Sequence, residues 1–233
     1  MENPVVASEL ELAVKQDLAV DLDSDGAAST PAASASYLRD EASFKEQVWS
    51  KEFIEATTWF SSMILASQFF IGSFNDQMEI KVGTSATVKL VIFFNAFMAG
   101  GFFLASLSGK AIDKFGFGVV ALVTTVLGFT INVLMVCGNN TALQYFIVVL
   151  FTVQRASLYT FYFSKVGHDL GFRFFGSLCG GGFFISAVFT LLQYGFLELG
   201  LQTNSFVLSN SILAVLGVVS LAYPARILKE ESG

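Results

Sequence analysis

The feature that most constrains this chain is a series of long stretches that contain no charged residue. Five such stretches begin after residue 55, and each has at least 20 residues, about the number that a helix needs to cross a bilayer. The third covers residues 115–154, and Cys-Gly-Asn-Asn-Thr at 137–141 divides it near its middle. The pattern predicts six transmembrane helices: Thr57–Phe74, Val88–Ser108, Phe117–Cys137, Ala142–Phe163, Phe174–Phe196 and Phe206–Tyr223.

The composition supports a lipid environment for these stretches. The chain is 54% hydrophobic and only 14% charged, whereas a soluble domain has about 25% charged residues. Backbone polar groups inside a bilayer must be satisfied within the protein, and a helix satisfies its own. We therefore expect an all-α integral membrane protein that crosses the bilayer several times.

The segments that flank the predicted bundle (56–224) differ from it in charge. Residues 1–55 contain 12 of the 19 acidic residues and four of the 13 Lys and Arg residues. This Ala- and Ser-rich segment has too little apolar surface to fold alone, so we expect it to be largely disordered, and it does not have the pattern of a signal peptide. Residues 37–53 fit either a short amphipathic helix or a solvated linker, and 225–233 form a predicted C-terminal tail.

The basic residues predict how the six spans are oriented. Ten of the 13 fall before span one, between spans two and three, between spans four and five, or after span six. Only Lys81 and Lys89 fall on the other side, and Arg155 lies inside a span. Because basic loops stay in the cytosol, we expect both termini to be cytosolic, and we expect the membrane to be the plasma membrane.

One basic connection carries a recognisable pattern. The stretch "GKAIDKFG" between spans two and three has glycine at both ends, at Gly109 and Gly116, with Asp113 and Lys114 inside. Glycine gives a short turn backbone freedom, and a carboxylate is stabilised near a helix N-terminus. These four positions resemble the loop signature of the major facilitator superfamily, although the basic pair that usually follows the last glycine is absent.

This resemblance implies a particular fold and partner. Six spans are one half of a twelve-helix transporter, and the long segment before span one resembles the link between halves. The chain therefore corresponds to the C-terminal half, and the expected protein partner is the missing N-terminal six-helix half or a second copy. The four signature residues would form a loop that takes part in gating.

A narrower resemblance concerns the substrate. "FFIGSFN" (69–75), "VQRASLYTFYF" (153–163) and "HDLGFRFFGSL" (168–178) are similar, in order and spacing, to segments of solute carrier family 43, the large-neutral-amino-acid facilitators. This resemblance implies facilitated diffusion of a neutral amino acid by alternating access. The alternatives are a membrane remnant that does not transport, a half that binds or regulates a partner, and a truncated gene product.

The candidate binding residues are the polar groups inside the spans. Arg155 is costly in a membrane unless it meets water or an anion, and helical spacing puts Tyr159 and Tyr162 on its face. Together they could bind a carboxylate, or Arg155 could be a structural residue. Gln68 and Asn75 lie seven residues apart in span one, where they would either line a cavity or bond a neighbouring helix.

Span five contains closely spaced glycines. Small residues let membrane helices approach closely, and several in succession soften a helix. Tight packing is the more common of these two roles. The residues concerned are Gly176, Gly180, Gly181 and Gly182.

The chemistry that the chain lacks narrows the function. Cys137, Cys179 and His168 make up the whole set of cysteines and histidines, so we expect no metal site and no disulfide framework. The predicted spans contain no Asp or Glu and no G-x-S-G motif. We therefore expect neither an intramembrane enzyme nor proton symport, no cofactor, and no nucleic-acid partner; uniport is the favoured mode.

Overall fold

The computed structural model describes residues 43–232, and every regular element in that range is a helix. In chain order the elements are α1 (Phe44–Val48), α2 (Lys51–Val82), α3 (Thr84–Gly100), α4 (Phe102–Cys137), α5 (Thr141–Leu170), α6 (Phe175–Thr190), α7 (Leu192–Gln202), α8 (Val207–Ser220) and α9 (Ala222–Ser232). Between α3 and α4, α6 and α7, and α8 and α9, the single intervening residue has a helical backbone, so each of these pairs forms one longer helical segment.

Two serine caps fix the start of the described structure. Ser43 forms a capping box with Glu46 at the start of α1, and Ser50 accepts a hydrogen bond from the Phe53 amide at the start of α2. Residues 1–42, which include most of the acidic segment and the first part of the predicted amphipathic helix, lie outside the described residues. In the remainder of that prediction, α1 is helical and the chain breaks at residues 49–50.

Four helical segments between residues 43 and 232 are long and apolar enough to cross a membrane. They are Phe102–Cys137, Thr141–Leu170, Phe175–Gln202 and Val207–Ser232. The described part of the chain is thus all-α, with several apolar helices compatible with a multi-pass membrane protein, and four rather than the predicted six have the length and apolar composition of a span. α2 has the length, at 32 residues or about 48 Å, but its Ser, Thr and Gln residues lower its hydropathy, and α3 has only 17 residues.

The chain folds back at Gly116, inside α4. Gly116 has φ 83° and ψ 169°, a conformation that side-chain-bearing residues rarely adopt. Ser108 before this turn hydrogen-bonds Ser157 at 2.9 Å, and Gly128 after it packs against Gln154. Both sides of the turn therefore meet the same part of α5. We call residues 102–115 segment α4a and residues 117–137 segment α4b.

This turn corrects the predicted loop. Gly109, Asp113 and Lys114 are helical and belong to α4a, and only Gly116 leaves the helical conformation. The expectation of a loop spanning 109–116 was therefore wrong in extent. One left-handed glycine is enough to reverse the chain between two helices, so the helix continues through the charged residues up to Phe115.

Side-chain contacts between helix ends cluster at two opposite ends of the described structure. At one end, which we call the basic end, Glu55 contacts Arg226, Lys165 lies over the ring of Phe117, and Glu231 reaches the start of α4b. At the other end, Lys81 donates to the carbonyls of Met135 and Gly138. Glu55 and Lys81 are the two ends of α2, so α2 extends from one end of the structure to the other.

Helix α2 lies at the centre of the packing. It contacts α5, α6, α7 and α8, and its buried side chains include Phe60, Phe69 and Phe70. Six of its uncharged side chains hydrogen-bond other helices: Thr57 with Tyr162 at 3.3 Å, Trp59 with Thr125 at 3.0 Å, Ser61 with Ser186 at 2.8 Å, Ser62 with Ser220 at 2.9 Å, Ser67 with Gln154 at 3.3 Å, and Gln77 with Asn210 at 2.9 Å. The first predicted span is therefore the most enclosed helix.

Several predicted boundaries differ from the observed ones. The helix continues past Phe163 to Leu170, and single-residue breaks at Gly101, Leu191 and Leu221 interrupt predicted spans two, five and six. The described part of the predicted C-terminal tail is helical, since α9 continues to Ser232 and buries Ile227 against α4.

Candidate functional site

Arg155 lies on the wall of a groove between α4a and α5. The groove has a volume of about 330 Å³, and apolar residues supply most of its surface. It is lined by Met98 and Gly101 at the end of α3, by Phe102 and Ala105 on α4a, and by Thr152, Arg155, Ala156, Tyr159, Thr160 and Phe163 on α5. The hydrogen bond between Ser108 and Ser157 ties α4a to α5 beside this groove.

The small residue at position 101 sets how closely the two walls approach. A Cβ atom placed on Gly101 would lie 3.2 Å from the methyl carbon of Thr152, so the backbone there passes close to α5. The groove therefore has a tight boundary at Gly101 and a hydrogen-bonded one at Ser108. Between them the guanidinium of Arg155 is the group with the greatest capacity to donate hydrogen bonds.

The environment of Arg155 is incomplete. Its guanidinium carbon lies 5.1 Å from the centre of the Tyr159 ring, within the range of a cation–π contact. Its Nη1 atom is buried and has no hydrogen-bond partner among residues 43–232. A buried donor that lacks a partner costs free energy. The geometry therefore leaves the Arg155 guanidinium with a donor that could bind an anionic or carbonyl-bearing ligand.

Tyr162 does not share the groove with Arg155. Its side chain is fully buried, its ring is stacked on Phe60 at 4.2 Å, and its hydroxyl lies 3.3 Å from that of Thr57. The helical spacing was right about the face of α5, but Tyr162 lies two turns farther along, where α2 and α6 cover that face. The predicted grouping of Tyr162 with Arg155 was therefore wrong in this structure.

Gln68 and Asn75 also lie away from the groove. Gln68 is half-buried and Asn75 is exposed, and neither lines the groove that contains Arg155. The polar residues of α2 that are enclosed are different ones, since Ser61, Ser67 and Gln77 bond other helices. Ser61 lies seven residues before Gln68, on the same face of α2, and makes a helix–helix hydrogen bond with Ser186, the kind of contact that the sequence offered as the alternative to a cavity.

The signature residues at the basic end play different parts. Asp113 and Lys114 are exposed, and the Lys114 ammonium lies 5.3 Å from the ring of Phe115. Asp113 does not occupy the helix N-terminus that follows the turn. Instead, Glu231 of α9 accepts hydrogen bonds from the amides of Phe117 at 2.9 Å and Gly118 at 3.1 Å.

Glu231 was missed because nothing in its local sequence indicates this contact. It lies 113 residues from Gly118, and its neighbours are ordinary polar residues of a helix end. A carboxylate on two free amides of a helix start is electrostatically favourable. The contact fixes α9 against the beginning of α4b.

The four glycines of α6 separate into two groups. A Cβ atom on Gly182 would lie 1.8 Å from the Tyr162 hydroxyl oxygen, so Gly182 gives that side chain the space it occupies. Gly176, Gly180 and Gly181 have no atom within 4 Å of such a Cβ, and they are exposed in the described structure. Close packing within this chain thus depends on Gly182.

No protein-family model, curated protein or solved structure matches this chain. The residues themselves are therefore the basis for any functional assignment.

Proposed function

We propose that this chain is one half of a membrane transporter, and that its groove beside Arg155 binds the carboxylate of a small organic solute. The observation that carries the proposal is the buried Nη1 of Arg155, which has no partner within residues 43–232 although it lies in the middle of an apolar helix. An intramembrane arginine is a functional candidate because its charge is costly there. A carboxylate would accept from the guanidinium, and Tyr159 would hold the guanidinium from its other side.

The proposal includes six passes rather than four. Its support is the alternation of chain ends: residues 55, 117, 165 and 226 meet at the basic end, and residues 81, 135 and 138 meet at the other. In this arrangement α2, α3 with α4a, α4b, α5, α6 with α7, and α8 with α9 each cross once. We place the basic end, with both termini, in the cytosol because ten of 13 basic residues precede or follow spans at that end.

The identity of the solute and of the partner rests on the resemblance to the large-neutral-amino-acid facilitators. We infer a neutral amino acid, moved by alternating access with the site between two six-helix halves. The expected partner is an N-terminal half or a second copy. The predicted spans hold no Asp or Glu, which favours uniport over proton coupling.

Binding of labelled leucine to the purified chain in detergent tests the site. We expect saturable binding that unlabelled leucine displaces and leucinamide does not, because leucinamide lacks the carboxylate. Arg155→Gln should weaken binding at least tenfold. Arg173→Gln is the matched control, since Arg173 is exposed and does not line the groove, and it should leave binding unchanged.

Equal displacement by leucinamide, or full binding by the Arg155→Gln variant, would exclude a carboxylate at Arg155. Uptake measurements test the second part of the proposal. If the partner is an N-terminal half, liposomes that contain only this chain should show no saturable leucine uptake, because one half cannot alternate access. Saturable uptake by this chain alone would exclude a required N-terminal half and would leave a second copy of the chain as the partner.

A further inference from the structure

A second groove lies at the basic end, between the start of α2, the end of α6 and the junction of α8 with α9. Its volume is about 420 Å³, and it shares no lining residue with the groove of Arg155. Apolar and aromatic side chains form its walls, namely Ile54, Trp59, Phe189, Leu216, Val219 and Tyr223. The rings of Trp59 and Tyr223 lie 5.5 Å apart and form one continuous wall.

The two ends of this groove differ in chemistry. Its inner end is closed by the hydrogen bond between Ser62 and Ser220 at 2.9 Å. Its mouth carries the ion pair of Arg226 with Glu55. Glu55 and Ser62 are seven residues apart on one helix, so the groove is about 10 Å deep. The groove is thus apolar inside and charged at its mouth, so it suits an amphiphile whose apolar tail lies inside and whose polar head group lies at the mouth.

The charges at the mouth favour one class of head group. Arg226 donates from Nε to Glu230 at 2.8 Å and from Nη1 to Glu55, and its Nη2 makes no hydrogen bond within residues 43–232. That nitrogen can donate to a phosphate. The two carboxylates beside it would repel a purely anionic head group but would attract an ammonium.

We propose that this groove binds one acyl chain of a zwitterionic phospholipid, with its phosphate at Arg226 and its ammonium at Glu55 or Glu230. The charged rim favours a lipid over an apolar helix of a partner protein, because Arg226 and the two carboxylates beside it match the phosphate and the ammonium of one head group. Tyr223 and Trp59 are side chains typical of the membrane interface, where a lipid head group lies. This inference needs the chain to be in a bilayer and is independent of transport.

Tryptophan quenching by a brominated lipid tests the site directly. Trp59 lines the groove, and the chain has one other tryptophan, Trp49, which is 72% exposed. The experiment uses the Trp49→Phe chain in detergent micelles, titrated with phosphatidylcholine brominated along its acyl chains. We expect saturable quenching of Trp59 with one lipid per chain.

Two valines of one helix provide matched variants. Val219 lines the groove and is 65% exposed, whereas Val215 is 64% exposed and does not line it. Val219→Phe should raise the half-saturating lipid concentration at least tenfold, and Val215→Phe should change it less than twofold. Ile54→Phe fills the groove from the opposite wall, so a folding defect of the Val219 variant would not leave the inference untested.

The head group is tested by competition. Phosphatidylcholine or phosphatidylethanolamine without bromine should reverse the quenching, and Arg226→Gln should weaken lipid binding at least fivefold. The proposal is overturned if phosphatidylglycerol competes better than these lipids, if both valine variants behave alike, or if quenching does not saturate. It is also overturned if brominated lipid fails to reach the groove only when two chains associate, because a second copy of the chain would then be the occupant.

Discussion

Helices α2 and α8 face the same bundle with opposite compositions. In α2, 17 of 32 residues are buried, among them polar residues such as Ser67 and Gln77. In α8, five of 14 are buried, and they are small or polar apart from Leu213, while valines such as Val215 are exposed. The difference teaches that an enclosed helix of this chain buries large apolar and polar side chains together, whereas a peripheral helix makes its contacts mainly through small and polar residues and leaves its valines exposed.

Gly182→Val should break this arrangement with the largest effect. The new Cβ would lie 1.8 Å from the Tyr162 hydroxyl, which is itself fully buried. Overpacking of this kind costs about 3 kcal/mol, so we expect a large fall in the midpoint of thermal unfolding, followed by circular dichroism in detergent.

Two variants complete this test. Gly180→Val, where no atom lies within 4 Å of the added Cβ, should be nearly neutral. Gly182→Ala should regain stability when Tyr162→Phe removes the clashing oxygen. Equal losses for the Gly180 and Gly182 variants would mean that helix propensity, not the close contact, sets the cost.

Asn210→Leu should have an intermediate effect. Asn210 donates from Nδ2 to Gln77 Oε1 and to the Phe206 carbonyl, both at 2.9 Å. The change leaves a buried Gln77 oxygen without this donor, so we expect a loss of about 1–2 kcal/mol. A double-mutant cycle with Gln77→Leu isolates the pair, and additive effects would show that the bond between α2 and α8 contributes nothing.

Lys81 should make stability depend on pH at the far end of α2, beyond the predicted span. Burial lowers the pKa of Lys81 to about 8. The unfolded chain, with an ordinary lysine pKa near 10.4, binds more protons between these values, so the free energy of unfolding should rise with pH from about 8 to 10. Because Lys81 is only half-buried, water screens part of this effect, and we expect a rise of about 1 kcal/mol in the wild-type chain. Lys81→Met should give a flatter profile, measured by thermal unfolding at each pH.

Val215→Thr should have the smallest effect. Val215 is 64% exposed on the outer side of α8, and a surface substitution usually changes stability by less than about 0.5 kcal/mol. A loss above 1 kcal/mol in the unfolding measurement would mean that this face is covered, and the contrast between α2 and α8 would then have to be redrawn.

The sequence predicted the helical class and a reversal within residues 109–116, because long uncharged stretches and a glycine-bounded turn are local signals. It did not predict that the helix continues to Phe115 and that Gly116 alone makes the turn. It also predicted that Arg155 and Tyr159 share one face of a helix, one turn apart, and the two side chains are in contact. It did not predict that Tyr162 is covered by α6, nor that the enclosed polar residues of α2 are Ser61, Ser67 and Gln77. Helical periodicity gives a face of one helix, but the neighbour that covers each turn of that face depends on tertiary packing.

The contact of Glu231 with the start of α4b has a consequence for biosynthesis. The ribosome makes Phe117 and Gly118 more than a hundred residues before the carboxylate that receives their amides. Until translation reaches that point, the nascent α4b carries these two amides without the acceptor that the finished fold supplies. The start of α4b therefore gains this contact only after the last helix has been made, and a chain that stops before residue 231 lacks it.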